Sequence, residues 1–217
     1  MRATPVTLLV GPPAVGKSTA ARALCARFAR SVHVPVDDLR TRVLTGYAAP
    51  EPGWPEPLVE QVRLARECAL DTAHRYAAAG FAVVLDDFLD PPLLQEYAVL
   101  DGWPGVRRVV LAPTREAARR RCAGRELDPR LRSYLEEGID LTYDVLRTAA
   151  DALEHRGYAL LDTSDLTAEA TVDRVLALPP SDGGPTLQPV DDGGPQVLAA
   201  AVPDRQTPPP SGDRRLP

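Results

Sequence analysis

Eight consecutive residues, Gly11-Pro12-Pro13-Ala14-Val15-Gly16-Lys17-Ser18, place two glycines, a lysine and a hydroxyl at the spacing G-x-x-x-x-G-K-S. That spacing is the phosphate-binding (P-loop) pattern, and its residue types follow from what a phosphate needs. Gly16 lets the backbone fold into a nest whose N–H groups point inward at anionic oxygens. A helix opening near Lys17 would turn its positive end toward the same point. Lys17 supplies a compact, mobile charge to β- and γ-phosphates, and the Ser18 hydroxyl can ligate Mg²⁺. An apolar run over residues 6–10 precedes the loop and a helical pattern follows it, as the motif requires. Gly11, Pro12, Pro13, Ala14, Val15, Gly16, Lys17, Ser18 and Thr19 are therefore the candidate nucleotide contacts. Lys17 is also the only lysine among 25 basic residues. An arginine there would match the charge but not the geometry, because its fork is larger and planar.

Two acid pairs stand at the ends of apolar runs. Phe81-Ala-Val-Val-Leu-Asp86-Asp87 closes on carboxylates that could reach a magnesium shell, directly or through water. Asp86, which follows the apolar run immediately, is the preferred metal ligand; a helix N-cap is the competing role for either acid. Val34-Pro35-Val36-Asp37-Asp38-Leu39 forms the second pair. A carboxylate at the carboxyl end of a strand could take the proton of an attacking hydroxyl, and Asp37 is the preferred base, with helix capping again the bland alternative. Arg115, Arg119, Arg120, Arg121 and Arg125 then follow the fourth apolar run. Arg115 and Arg119 share one helix face and Arg121 and Arg125 another. With Gly124 and the loop 126–128 they read as a short lid whose guanidinium groups could close over a γ-phosphate, or else as a solvated face. His33 is expected to be a buried strand residue. Trp54 and Trp103 flank strand-end loops and could line an acceptor pocket or simply pack.

The elements that must position these residues alternate in type. Residues 6–10, 32–36, 81–85, 106–111 and 158–161 are short aliphatic runs without strict alternation, the pattern of parallel strands covered on both faces. Residues 18–28, 58–79, 114–122, 129–155 and 168–176 carry helical periodicity. Gly80 suits a helix C′ position, and Asp128-Pro129 a helix start. Strands alternating with helices imply a doubly wound α/β sandwich.

Composition bounds the rest. The 217 residues divide into a folded domain, 1–178, and a Pro/Gly-rich tail, 179–217, too poor in apolar surface to order itself. A net charge of −5 argues against a nucleic-acid partner. No apolar stretch of about 18 residues suggests a membrane span. Three dispersed cysteines form no disulfide or zinc pattern and fit a reducing cytoplasm.

At the loop Gly11–Ser18, at Val36-Asp37-x-Leu39 and at Ala79-Gly80-x-x-Val83-Val84-x-Asp86-Asp87, the chain resembles the small P-loop kinases and phosphotransferases. Within these it is most similar to the chloramphenicol phosphotransferase-like and zeta-toxin-like groups. The arginine run 119–125 and Leu161-Asp162-Thr163-Ser164 extend the likeness, which covers about residues 5–178. It implies a three-layer P-loop fold, a five-stranded parallel sheet with helices on both faces. It also implies ATP and Mg²⁺, with Asp37 as base, Arg119, Arg121 or Arg125 on phosphates, and residues 163–165 bordering adenine. Two segments depart from the pattern: the long helix over 136–156 and the loop 47–57. The function expected is transfer of the γ-phosphate of ATP to a hydroxyl of a small molecule such as a metabolite or antibiotic. The alternatives are a zeta-toxin-like kinase acting on a nucleotide-sugar and a nucleotide-dependent switch without transfer.

Overall fold

The first apolar run forms strand β1 (Val6–Gly11), every residue of it buried. Helix α1 (Lys17–Cys25) follows the loop, then β2 (Ser31–Pro35) and a short α2 (Val36–Arg40). Next come α3 (Glu56–Ala78), β3 (Ala82–Phe88), a 3₁₀ stretch (Pro91–Gly102) and β4 (Val106–Leu111). The chain continues through α4 (Arg115–Ala123), α5 (Pro129–His155), β5 (Tyr158–Leu161) and α6 (Ala168–Ala177). This is a computed structural model, and it describes residues 5–50, 54–89, 91–125 and 129–180. The expected tail from residue 181, the lid loop 126–128 and the capping Asp128 lie outside the described residues.

The five strands form one parallel sheet in the order β2-β3-β1-β4-β5. Side-chain alternation divides each strand between two cores. Val6, Leu8, Val10, Val83 and Leu85 face α3, the 3₁₀ stretch and α5 through Ala69, Leu94, Tyr97 and Leu153. Leu9, Val84, Val109 and Leu111 face α1, α4 and α6 through Leu24, Ala118 and Val172. The result is the three-layer P-loop fold, with helices on both faces of a parallel sheet. No helix among the described residues is long and apolar enough to cross a membrane.

Three local outcomes differ from the sequence reading. The second strand stops at Pro35, and Val36 opens a helix. Asp37 thus sits in a first helical turn rather than just past a strand, where a carboxylate also suits the helix dipole. The third strand runs on through Asp86 and Asp87 to Phe88 instead of ending at Leu85. The 3₁₀ stretch was not foreseen, because adjacent prolines and a run without helical period conceal a turn that buries Leu94, Tyr97 and Leu100. Gly80 takes the positive φ of 81° expected of it after α3.

Candidate active site

The loop between β1 and α1 is built by close approach and by left-handed backbone. A Cβ on Gly11 would lie 2.5 Å from the carbonyl oxygen of Leu111, so only glycine lets β4 pass this near. Gly16 has φ 98°, strained for any other residue, and Ala14 also adopts a positive φ of 61°. Lys17 Nζ donates to the carbonyls of Gly11 at 3.1 Å and Pro12 at 2.9 Å, which holds the ammonium in the mouth of the loop. Burial pushes the Lys17 pKa below its ordinary value, against the pull of Asp86, Asp37 and Asp87. Carboxylates on β3 and α2 therefore act by charge on the same lysine.

Alternation sends Asp86 and Asp87 to opposite faces of β3. Asp86 shares a face with Val84 and with α1, and its Oδ2 accepts a 2.6 Å hydrogen bond from His33 Nε2. His33 pairs in register with Val84, which puts imidazole and carboxylate on the same side. Asp87 turns into the other core. Its Oδ2 accepts from Arg66 Nε at 2.6 Å and from the Tyr97 hydroxyl at 2.9 Å, while Oδ1 accepts from the Phe88 N–H. Burial raises the Asp87 pKa, and the Arg66 guanidinium opposes that shift. Arg66 and Asp87 both have fully buried side chains, so this pair braces the strand end from below.

Among the described residues, no three His, Cys, Asp or Glu side chains group closely enough to cage a metal ion. Magnesium typically leans on one or two protein oxygens plus nucleotide phosphates and water. Ser18 at the start of α1 and Asp86 on the facing strand are the oxygen donors that suit such a site.

Asp37 is exposed, its Oδ1 4.0 Å from Nη2 of the buried Arg40. Arg40 Nη1 also donates to the Ala48 carbonyl. Tyr134, from α5, lies in the same neighbourhood: burial raises its phenol pKa, and Arg40, Asp37 and Tyr47 act on it by charge. Four residues farther along α5, a Cβ on Gly138 would meet the Pro13 side chain at 3.2 Å. Helix α5 therefore crosses the phosphate loop closely.

The five arginines do different jobs. Arg121 donates from Nη1 to the Val15 carbonyl at 2.9 Å and from Nη2 to the carbonyls of Thr163 at 2.5 Å and Ser164 at 3.2 Å. It clamps the phosphate loop to the segment after β5. Arg115 and Arg119 pair with Asp144 and Asp140 of α5, and Arg120 pairs with Glu116. Arg125 acts on the Lys17 ammonium by like charge, and its carbonyl accepts from Arg132 Nη2 of α5 at 3.2 Å. Beside the clamp lies a cavity of about 190 Å³ lined by Val15, Gly16, Thr19, Arg121, Thr163 and Thr171. The Thr163 hydroxyl is buried there with no protein partner.

Sequence reasoning missed His33, Arg40 and Tyr134. His33 had one available signal: it lies an even number of residues before the strand end, so it shares a face with Val84 once β2 and β3 are neighbours. Nothing local marked the other two.

Comparison with known proteins agrees with this fold. An AAA domain family model matches residues 6–138, more than half of the chain. The fold is similar to that of the tunicamycin resistance protein of Deinococcus radiodurans, with TM-score 0.54 and 14% identity over 80% of this chain and 94% of that one. It is similar to shikimate kinase from Acinetobacter baumannii in complex with shikimate, with TM-score 0.54 and 20% identity over 80% and 91% of the two chains. A gluconokinase from Sinorhizobium meliloti 1021 superposes with TM-score 0.51 and 17% identity over 82% and 92%. No curated protein matches the chain by sequence. The phosphate loop, the strand order and the family match together make the chain a member of the AAA domain family with the fold of the small P-loop kinases.

Proposed function

We propose that the protein is an ATP-dependent kinase that phosphorylates a hydroxyl of a small molecule. The observation that carries this reading is the phosphate loop with the Lys17 ammonium held in its mouth by the Gly11 and Pro12 carbonyls, with Asp86 on β3 and Asp37 on α2 at the carboxyl edge of the sheet, where open α/β sheets bind their ligands. The three similar structures named above include two small-molecule kinases, which supports the same class.

In this reading the backbone of residues 11–17 and the Lys17 ammonium hold the β- and γ-phosphates, and adenine occupies the cavity at Thr163 and Arg121. Bound Mg²⁺ would neutralise charge between the β- and γ-phosphates, with Ser18 and Asp86 as its protein ligands. Asp37 takes the hydroxyl proton as the acceptor oxygen bonds to the γ-phosphorus and the bond to the β,γ-bridging oxygen breaks. ADP leaves with that electron pair. Arg125 contributes charge over the transferring group, while Arg119, paired with Asp140, reaches the phosphates only by exchanging that partner. Arg121 acts by fixing the loop.

Transfer of label from [γ-³²P]ATP to a panel of hydroxylated metabolites and antibiotics tests the reading; ATP hydrolysis without transfer to any of them would refute it. Asp37→Asn is expected to lower kcat by about 10²–10⁴-fold with little change in KM for ATP, as loss of a general base does. Steady-state kinetics with both substrates would check this. His33→Ala is expected to raise the Mg²⁺ concentration giving half-maximal rate by roughly tenfold, because a ligand loses the partner that orients it. A Mg²⁺ titration at saturating ATP reads that effect, and an unchanged requirement would count against the pairing.

A further inference from the structure

Helix α5 runs for 27 residues, and Gly138 stands inside it. Glycine forms helix worse than any residue but proline, because it has the most backbone freedom to lose. The local backbone does not ask for it, since the positive-φ glycines of the described residues are Gly16, Gly46, Gly80, Gly105 and Gly157. Space does. A Cβ at position 138 would lie 3.2 Å from Pro13 Cγ and 4.0 Å from Pro13 Cδ. Among the described residues it would meet nothing else within 4 Å beyond its chain neighbours and its own helical backbone. The one obstacle to a side chain here is therefore the phosphate loop.

At 3.2 Å one side would have to give by a few tenths of an ångström, and the helix is the firmer side. Ile139 is fully buried in the core that holds Leu9 and Val15, with Leu135 packed against the same core. Thr142, itself buried, donates to the Gly138 carbonyl at 2.6 Å. Asp140 and Asp144 pair with Arg119 and Arg115, and the Tyr143 hydroxyl donates to the Pro113 carbonyl. Pro13 is half-buried and has no N–H with which to anchor itself. The held points lie on either side of it, where the Pro12 carbonyl accepts from Lys17 Nζ and the Val15 carbonyl from Arg121 Nη1.

A displacement would thus fall on Pro13 and on Ala14, whose φ of 61° persists only while its surroundings hold it. A nest binds an anion through the directions of successive N–H groups, so tilting the chain at its start weakens several bonds together. No apolar contact is lost in the process. An alanine at position 138 would therefore act in two opposite directions, steadying the helix and disturbing the loop.

We propose that Gly138 is a positioning residue for the phosphate site. Helix α5 passes the loop at glycine distance, and this keeps Pro13, and the N–H groups of residues 14–17 after it, in the direction that binds the phosphates of a nucleotide. The inference rests on the reading of the loop as a nucleotide site and is independent of transfer to an acceptor.

Calorimetric titration of the full chain with Mg²⁺ and the non-hydrolysable β,γ-imido analogue of ATP, with melting curves on the same preparations, tests the role. Gly138→Ala is expected to raise the dissociation constant about three- to tenfold, a fraction of the roughly 10²-fold loss that a 1 Å misplacement brings. Its Tm should equal that of the parent or exceed it by up to about 4 °C, since alanine favours the helix. In a Pro13→Ala background the atoms that the new methyl would meet are gone. There the same substitution is expected to change the constant by less than about twofold, because the effect of one partner vanishes when the other is removed. Unchanged affinity in Gly138→Ala, an equal loss in the Pro13→Ala background, or a loss accompanied by a fall in Tm of more than about 4 °C would each overturn the positioning role. A parent chain that binds no analogue would sink the nucleotide reading and this inference with it. A parent that binds the analogue no better than Gly138→Ala would sink only the role of Gly138.

Discussion

Lys17→Ala is expected to abolish phosphoryl transfer, lowering kcat/KM by about 10³-fold or more while the fold survives. The lysine sits where the nest of loop N–H groups and the start of α1 meet, its Nζ held by the carbonyls of Gly11 and Pro12. Two unit charges about 4 Å apart near a protein surface interact by ~4 kcal/mol, which corresponds to about three powers of ten in rate. Little else can replace that charge: the neighbouring arginines are mostly engaged with α5 or with loop carbonyls. Lys17→Arg should not restore activity, because the larger planar fork cannot reach between the same two carbonyls. Removing an ammonium that burial already disfavours should leave thermal stability unchanged or raised slightly. Kinetics and melting curves on the same preparation check both halves; retained turnover in Lys17→Ala would remove the lysine from the mechanism.

Arg66→Met is expected to cost about 3–5 kcal/mol of stability, since it strands the Asp87 carboxylate in the core without its counter-ion. Tyr97 and the Phe88 N–H would still donate to that carboxylate, but neither carries charge. Such a loss is a large share of the roughly 5–15 kcal/mol that a domain of this size holds, and should lower Tm by about 10 °C or more. The double variant Arg66→Met/Asp87→Leu should regain most of it, because replacing both members of a buried pair with apolar groups is often neutral or stabilising. Thermal melts of the single and double variants distinguish a brace from a passive pair. A single variant within about 2 °C of the parent would show that the pair carries no net stability.

The differences between the sequence reading and the structure have a common cause. Asp86 and Asp87 are adjacent and chemically identical, and the sequence reading preferred Asp86 only for its place after an apolar run. What separates them in space is strand parity: β3 continues to Phe88, so one acid faces α1 and the phosphate loop and the other faces α3. The strand end was misplaced because two carboxylates look like a boundary, and only the Arg66–Tyr97 pair makes the second one tolerable inside. The arginine run shows the same limit. Residues 115 and 119 were expected to share a face and do, but their partners, Asp144 and Asp140, lie on a helix distant in sequence. Arg121 was expected over the phosphates; it reaches main-chain carbonyls at Val15, Thr163 and Ser164 instead.

By itself the sequence determined everything that short-range physics writes into a contiguous stretch. The loop from Gly11 to Ser18 is such a stretch, because nest, helix start, lysine and hydroxyl all lie within one turn of chain. The five strands and the α/β class are others, since burial on both faces leaves uninterrupted aliphatic runs. The lone lysine at position 17 was legible for the same reason. Only the tertiary structure decided which acid meets His33, which arginine locks the loop, and which rings stand around Asp37. Those contacts join residues from 34 to more than 100 positions apart. They depend on sheet order and strand parity, and no local pattern carries that information. Position 54 falls between the two cases: the tryptophan and its proline neighbour are plain in the sequence, but its left-handed backbone and its ring contact with Phe88 exist only in the fold.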